Sequence, residues 1–253
     1  MTRQLPGAAM PQRLAALGPF FAIDCHDDGP VLPPWRPMAE LLDDTAVLRE
    51  RVAGVRTYLA AAGGQPLEAV EERVAASVTH LGLAARLVSP AFAVAVLDGA
   101  VLRYGLREAR WQPVPGGMFP LSLPQQVLEP VADRVELADR LGADLLDGPV
   151  RELSEALGAG FGVSARILHG NVASAVNGAA AAIARSAPQL APGARELVAQ
   201  LLARAPLQGA GTAADDGTGF RRRSCCLIYR AAPDHAGALC GDCVLTAPPG
   251  RRG

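Results

Sequence analysis

The chain has 253 residues, a formal net charge of −1 and a composition that is half hydrophobic, as is typical of a globular protein with a substantial core. All 24 positive residues are arginine, because the sequence contains no lysine. The near-neutral charge argues against a nucleic-acid-binding protein, which needs concentrated basic surface. The lack of lysine excludes P-loop nucleotide binding and Schiff-base chemistry, since both depend on a lysine amine.

An apolar run at residues 14–23 has the length of a signal-peptide core, but its context argues against one. Pro19 interrupts the run, an acidic segment follows it, and no small-residue cleavage site is present. No later run of uncharged apolar residues is long and hydrophobic enough to span a bilayer convincingly. We therefore expect a cytoplasmic protein with no transmembrane segment, in a compartment that keeps thiols reduced.

Most periodic segments place apolar residues at steps of three and four, which indicates a mainly α fold with few short strands. Proline and glycine punctuate these segments and suggest where each helix begins and ends. The predicted helices cover residues 39–62, 66–88, 91–97, 127–146 and 149–157, a long segment after the N-cap Ser164, and residues 192–205. A short strand is predicted at residues 101–104, and residues 111–124 are predicted to be a loop and a possible sub-boundary.

The composition divides the chain into three parts. Residues 1–206 form the predicted helical domain. Residues 207–219 read LQGAGTAADDGTG and have the composition of a flexible linker. Residues 220–253, called the cysteine module below, follow the linker and hold four of the five cysteines.

The four cysteines of the module lie close enough in sequence to converge on one centre. Cys225 and Cys226 are adjacent, thirteen residues separate them from Cys240, and two more separate Cys240 from Cys243. The fifth, Cys25, lies beside an acidic loop without a second cluster of ligands, so we interpret it as a structural residue.

Three centres compete for these cysteines: two disulfides, a structural zinc and an iron-sulfur cluster. Disulfides are disfavoured because adjacent cysteines bridge only with strain and a reducing compartment is expected. Zinc sites usually draw their thiolates from two CxxC-like turns, and only one is present here. A two-iron cluster tolerates more divergent ligand directions and ordinarily takes four cysteines. The spacing therefore favours iron-sulfur over zinc without excluding zinc.

Two stretches of the chain resemble a known family. RRSCCLIYR at residues 222–230, followed by LCGDCVL at residues 239–245, is similar to the C-terminal motif of the FhuF-type ferric siderophore reductases. In that family a vicinal cysteine pair and a later CxxC bind a [2Fe-2S] cluster, which implies Cys225, Cys226, Cys240 and Cys243 as ligands here. VSARILHGNVASAVNGAA at residues 163–180 resembles the helix that the family carries upstream of the cluster.

The resemblance implies one-electron reduction of a ferric siderophore, of the hydroxamate class as the first expectation, with release of iron(II). Electrons would come from a small ferredoxin- or flavodoxin-like protein, because the chain has no nicotinamide or flavin fingerprint. The residues expected to contact the substrate or the donor, or to favour the reduced cluster, are Arg221, Arg222, Arg223, Arg230 and Asn171. The alternative is a non-enzymatic binding module that a bound metal stabilises, or an iron-sulfur redox sensor or electron carrier.

Overall fold

The computed structural model describes residues 9–126, 128–213, 219–233, 237 and 239–245. The chain is 57% helical with few short strands, which confirms the mainly α prediction. The α-helices are α1 (Ala9–Ala15), α2 (Glu40–Asp43), α3 (Thr45–Ala62), α4 (Glu72–Asp98), α5 (Arg134–Leu141), α6 (Arg151–Phe161), α7 (Ala165–Ser186) and α8 (Ala191–Leu202).

Helix α4 is the central element of the core. Its middle is buried on all sides and continues through Pro90, so the prediction that the helix would stop before this proline is wrong. A proline removes one hydrogen bond of the helix, but burial of Ala91 and Phe92, both at 0% exposure, favours continuation. The helix ends at Gly99, whose φ of 59° closes it in the left-handed conformation that glycine adopts freely.

Helix α7 packs along α4, and α3 and α6 flank the pair. Both α4 and α7 are long and apolar enough to cross a membrane by length and composition alone. However, 72% of the apolar window of α4 and 56% of that of α7 are buried inside the protein, as expected of core helices. The prediction that the chain has no transmembrane segment remains a prediction.

A small sheet covers one side of the helical core. Its strands are β1 (Asp24–His26), β2 (Arg36–Pro37), β3 (Arg110–Trp111) and β4 (Leu121–Pro124), in the order β1-β4-β3-β2. The β1–β4 pair is parallel, and the other two pairs are antiparallel.

Two local predictions are wrong here. Residues 111–124 were predicted to be loop but include β4, and the predicted strand at 101–104 does not form. Contacts with distant residues accompany both outcomes, because β4 pairs with β1 from near the start of the chain, whereas the Arg103 backbone bonds the Gln126 side chain instead of a neighbouring strand.

Arg86 of α4 holds this sheet region against the core. It is 2% exposed, and its guanidinium donates hydrogen bonds to the backbone oxygens of Phe119, Phe20 and Ala22. Burial lowers the pKa of Arg86 to about 10, which leaves it charged at neutral pH. A single buried cation thus satisfies three loop carbonyls that would otherwise lack partners.

Aspartate caps explain two other differences from the predicted helices. The helix predicted at 39–62 is divided at Asp44, whose carboxylate accepts a hydrogen bond from the Ala46 N–H at 2.8 Å. The helix predicted at 127–146 begins instead after Asp133, which caps α5 by accepting from the Glu136 N–H. The chain then continues in π-helical turns over Gly142–Val150.

Part of the predicted linker is a strand. β5 (Gly211–Ala213) pairs antiparallel with β6 (Phe220–Arg222), while residues 214–218 and 246–253 lie outside the described residues. The division into helical domain, linker and cysteine module therefore remains a prediction.

The central position of α4 predicts a large loss of stability for Leu87→Ala, because Leu87 is 0% exposed. Removing a buried leucine side chain should lower the free energy of unfolding by about 2–5 kcal/mol, measured by denaturant titration. The control Val135→Ala, at a position 58% exposed, should change it by about 0.5 kcal/mol or less. Equal losses would contradict the assignment of α4 to the core.

Candidate metal centre

Backbone hydrogen bonds bring the two halves of the cysteine motif together. The N–H of Arg222, at the end of β6, donates to the backbone oxygen of Asp242 at 3.0 Å. Because Asp242 lies between Cys240 and Cys243, this bond places the CxxC segment beside the strand that leads into the adjacent cysteine pair. The Cys243 N–H donates to the Cys240 oxygen at 3.1 Å and closes the CxxC turn.

The sulfur atoms of Cys226 and Cys240 lie 3.6 Å apart, although fourteen positions separate them in sequence. Cys226 and Cys243 are buried at 1% and 2% exposure, and Cys225 and Cys240 are partly exposed. The structure therefore pairs one cysteine of the adjacent pair with one cysteine of the CxxC.

The backbone turns sharply directly after the adjacent cysteine pair. Leu227 has a φ of 70°, which is costly for a residue with a branched side chain. This conformation lets the Leu227 N–H donate to the Cys225 sulfur at 3.3 Å, and the Leu245 N–H donates in the same way to Cys243. Such N–H donors stabilise negative charge on sulfur and are one of the means by which proteins tune iron-sulfur clusters.

Of the Cys226 and Cys240 thiols, that of Cys226 ionises first. Its hydrogen bond with Cys240 lowers the pKa of Cys226 to about 6, helped by the Ile228 N–H and the charge of Arg222. The same hydrogen bond raises the pKa of Cys240, so the pair shares one proton. Burial raises the pKa of Cys225.

These residues fit a two-iron cluster in donor type and in hydrogen bonding to sulfur. Four thiols and two N–H···S contacts lie within one module, and thiolates are the preferred ligands of such clusters. In the described part of the chain, no three His, Cys, Asp or Glu side chains converge closely enough to form a metal cage. The fit therefore rests on the donor set rather than on a preformed cage.

A buried polar network connects the module to the helical core. Asn171 of α7 is 0% exposed, and its side-chain oxygen accepts a hydrogen bond from Arg222 Nη2 at 3.0 Å. Its Nδ2 donates to the Ser77 backbone oxygen at 3.0 Å and to His80 Nδ1 at 3.3 Å. The Ser77 hydroxyl donates to the Cys226 backbone oxygen at 2.9 Å. The network thus joins α4, α7 and a candidate ligand segment.

His80 of α4 is held neutral in this network. Burial, followed by the nearby His169 and Arg222, lowers the pKa of His80 to about 3. Its Nδ1 accepts from Asn171, so Nε2 carries the proton and donates to the Ser154 hydroxyl at 2.8 Å. Ser154 in turn donates to the Val150 oxygen at 2.7 Å, so each hydrogen bond in this series has one donor and one acceptor.

Close backbone approach also holds the module on α7. A Cβ atom added at Gly170 would lie 2.1 Å from the Ser224 hydroxyl oxygen, a distance that real contacts do not reach. Any larger residue would therefore force the Ser224 hydroxyl out of its present position. Nearby, Arg166 Nη2 donates to the Arg223 backbone oxygen at 2.8 Å.

The remaining predicted residues occupy different environments. Arg223 is exposed, Arg221 is half-buried, and Arg230 forms an ion pair with Glu71. Arg222 and Asn171 are buried against each other, where they contact the protein interior and not a surface open to a substrate or donor. Cys25 lies in β1, paired with β4, and not in the module.

Sequence reasoning did not assign a role at the site to Ser77, His80 or Ser224. Ser77 and His80 are polar residues three apart within a mainly apolar helix, so they share one face. That spacing indicates a buried polar contact on this face of α4. It does not identify the partner, which is Asn171 of α7.

Two of the cavities in the described part of the chain are bordered by core helices. One, of about 670 Å³, lies between α6, the π-helical turns, α7 and residues 205–207. The other, of about 620 Å³, lies between α3, α4 and residues 111–117. Ser154, at the end of the polar network, lines the first cavity.

A mainly helical chain with a C-terminal four-cysteine module that fits a two-iron cluster defines an iron-sulfur protein. Residues 222–245 match the family model described as the FhuF 2Fe-2S C-terminal domain. The chain thus carries a FhuF-type C-terminal domain with a [2Fe-2S] cluster, and the expected resemblance and cofactor are confirmed. The match does not extend into the helical domain, and no curated protein matches the chain.

We predict that serine at any of Cys225, Cys226, Cys240 or Cys243 will bleach or destabilise the cluster, because a hydroxyl is a poorer iron ligand than a thiolate. Iron and sulfide analysis of anaerobically purified protein should give two of each per wild-type chain and clearly less in these variants.

Cys25→Ser is the matched control and should retain full colour and iron content, because Cys25 belongs to a different sheet. A loss from Cys25→Ser equal to that from the module variants would show that the ligand set is wrong. Colourless wild-type protein with stoichiometric zinc would contradict the redox assignment.

Proposed function

We propose that this protein is a one-electron reductase of ferric siderophores that releases iron(II) in the cytoplasm. The observation that carries the proposal is the match of residues 222–245 to the FhuF 2Fe-2S domain, which is typical of iron-sulfur proteins of the siderophore reductase type. We propose Cys225, Cys226, Cys240 and Cys243 as the ligands, since all four lie within this match.

The chemistry follows from the ligand preferences of iron. The bound cluster supplies one electron, which it receives from an external donor. The chelated iron(III) takes up this electron and becomes iron(II), and no bond of the chelator is cut. Hard oxygen donors such as hydroxamates hold iron(III) far more strongly than iron(II), so the metal is then released. The protein needs only to bind the chelate near the cluster.

We propose that the electron donor is a small ferredoxin- or flavodoxin-like protein that docks on the module. Arg223 is exposed and Arg221 is half-buried, so both can offer positive charge to an acidic partner. Arginine remains charged at any physiological pH and forms forked hydrogen bonds with carboxylates.

The cavity beside α7 is the place where we propose that the siderophore binds. Its volume of about 670 Å³ falls within the usual range for ligand pockets, and most of its lining is apolar. Polar groups at Ser154, Arg151 and His169 provide a few contacts for orientation.

The position of this cavity relative to the module supports the assignment. Ala165, Leu168 and Val172 line the cavity from one face of α7. Arg166 and Gly170, on an adjoining face of the same helix, touch the module. A helix with its side chains is about 10–12 Å across, so a ligand in the cavity lies roughly one helix width from the module.

The function predicts that dithionite-reduced protein will be reoxidised by a ferric hydroxamate siderophore, yielding iron(II) that a ferrous chelator traps. Stopped-flow absorbance should give a rate that rises with siderophore concentration and exceeds the rates with oxygen and with an unrelated ferric chelate. Equal rates for all three oxidants would leave a redox sensor or electron carrier as the better assignment.

The cavity assignment predicts that Ala165→Trp will raise KM for the siderophore. Ala165 is exposed at the cavity wall, so the larger side chain should obstruct the cavity without disturbing the core. We expect a rise of roughly tenfold, equivalent to about 1.4 kcal/mol of binding free energy, with unchanged iron content.

Ala53→Trp is the matched control, because Ala53 is an exposed alanine that lines the other cavity. It should leave KM unchanged. If Ala53→Trp raises KM and Ala165→Trp does not, the substrate binds in the cavity between α3 and α4, and the reductase assignment itself is unaffected.

A further inference from the structure

Arg222 is a buried cation whose acceptors are all neutral. It is 1% exposed, and within the described residues it forms no salt bridge. Its Nε donates to the Ser224 backbone oxygen at 3.3 Å, and its Nη2 donates to the amide oxygen of Asn171. Its Nη1 is buried and has no hydrogen-bond partner among the described residues.

Burying a charged side chain destabilises the folded protein unless negative charge lies nearby. An isolated charge moved from water into a protein interior loses several kcal/mol of solvation free energy, so buried charges are normally paired. Two hydrogen bonds place Arg222 beside both halves of the cysteine motif: its backbone N–H donates to the Asp242 oxygen, between Cys240 and Cys243, and its Nε donates to the Ser224 oxygen, directly before Cys225.

Four thiolates around a two-iron cluster carry net negative charge, and one added electron increases it. A cation fixed nearby stabilises the more negative reduced state and raises the reduction potential. This effect is strongest for a buried cation, because water and salt screen charges at the surface. Among Arg221, Arg222 and Arg223, only Arg222 is buried.

Asn171 fixes the orientation of Arg222. An amide nitrogen that donates to Ser77 and His80 leaves the amide oxygen directed at Arg222. His80 is neutral and accepts through Nδ1, so it enforces this orientation and adds no competing positive charge. If the amide rotated by half a turn, its NH₂ group would face the N–H groups of Arg222, and neither could accept a hydrogen bond.

We propose that Arg222, positioned by Asn171, is the internal counter-cation of the [2Fe-2S] cluster and sets its reduction potential above that of an uncompensated site. Arg221 and Arg223 contribute less, because they are more exposed to water. The proposal rests on the four-cysteine ligand set proposed above and does not depend on which substrate is reduced.

The test compares Arg222→Gln, Arg221→Gln and Arg223→Gln in the full-length cluster-bound protein. Midpoint potentials are measured by spectroelectrochemical titration, together with iron and sulfide content. Arg222→Gln should lower the potential, and it should do so by more than either matched surface variant. Equal potentials in the three variants at equal iron content would overturn the proposal.

Arg222→Lys separates charge from packing, because lysine keeps the cation but loses the guanidinium fork. It should hold the cluster at a potential between wild type and Arg222→Gln. If Arg222→Gln loses its cluster, retention of the cluster by Arg222→Lys near the wild-type potential still supports the counter-cation role. Loss of the cluster in both variants, or a potential in Arg222→Lys as low as in Arg222→Gln, would overturn it.

Asn171→Ala tests the positioning role, because it keeps the charge of Arg222 but removes the acceptor that orients it. The potential should fall part of the way towards that of Arg222→Gln. A potential identical to wild type at full iron content would overturn the role of Asn171. These measurements need no siderophore, so their outcome is distinct from failure of the proposed reductase activity.

Discussion

The structure depends on one buried amide, the side chain of Asn171. A buried amide needs partners for both its oxygen and its nitrogen, and here the partners come from different parts of the chain. The nitrogen is satisfied by Ser77 and His80 of α4, and the oxygen by Arg222 of the cysteine module. Replacing Arg222 by an apolar residue in the docked module would leave the oxygen buried and unpaired, which costs about 1–3 kcal/mol. Docking of the module and packing of the helices are therefore energetically coupled.

Two buried arginines illustrate how the same residue type serves different purposes. Arg86 directs its guanidinium at three backbone oxygens and holds the small sheet against α4. Arg222 lies equally deep, but one of its nitrogens has no partner in the described part of the chain, and its Nε bonds the backbone directly before the adjacent cysteine pair. The first arginine completes the fold, whereas the second supplies positive charge at a site that gathers negative charge.

Helix α7 serves three neighbours through different faces. Its buried face packs on α4, a second face lines the larger cavity, and a third touches the module at Gly170. Small residues make this possible, because glycine lets Ser224 approach the helix backbone closely. The resulting arrangement places the proposed substrate cavity and the proposed electron source on adjoining sides of a single rigid element.

By itself the sequence determined the mainly α class, the segments that became α3, α7 and α8, and the cysteine motif, whose resemblance to the FhuF-type family implied the [2Fe-2S] cofactor. Helical periodicity is a local property, and the spacing of the four cysteines is written directly in the chain. Residue spacing also carried the resemblance that the FhuF 2Fe-2S match at residues 222–245 confirms.

Only the tertiary structure decided that α4 continues through Pro90, that β4 forms within residues 111–124, and that Arg222 and Asn171 are internal. Each outcome depends on partners distant in sequence. Packing around α4 outweighs the local cost of proline, and β4 forms by pairing with β1 from near the start of the chain. An arginine run is normally solvated, so only the contact across 51 positions between Arg222 and Asn171 could distinguish the buried member from its exposed neighbours.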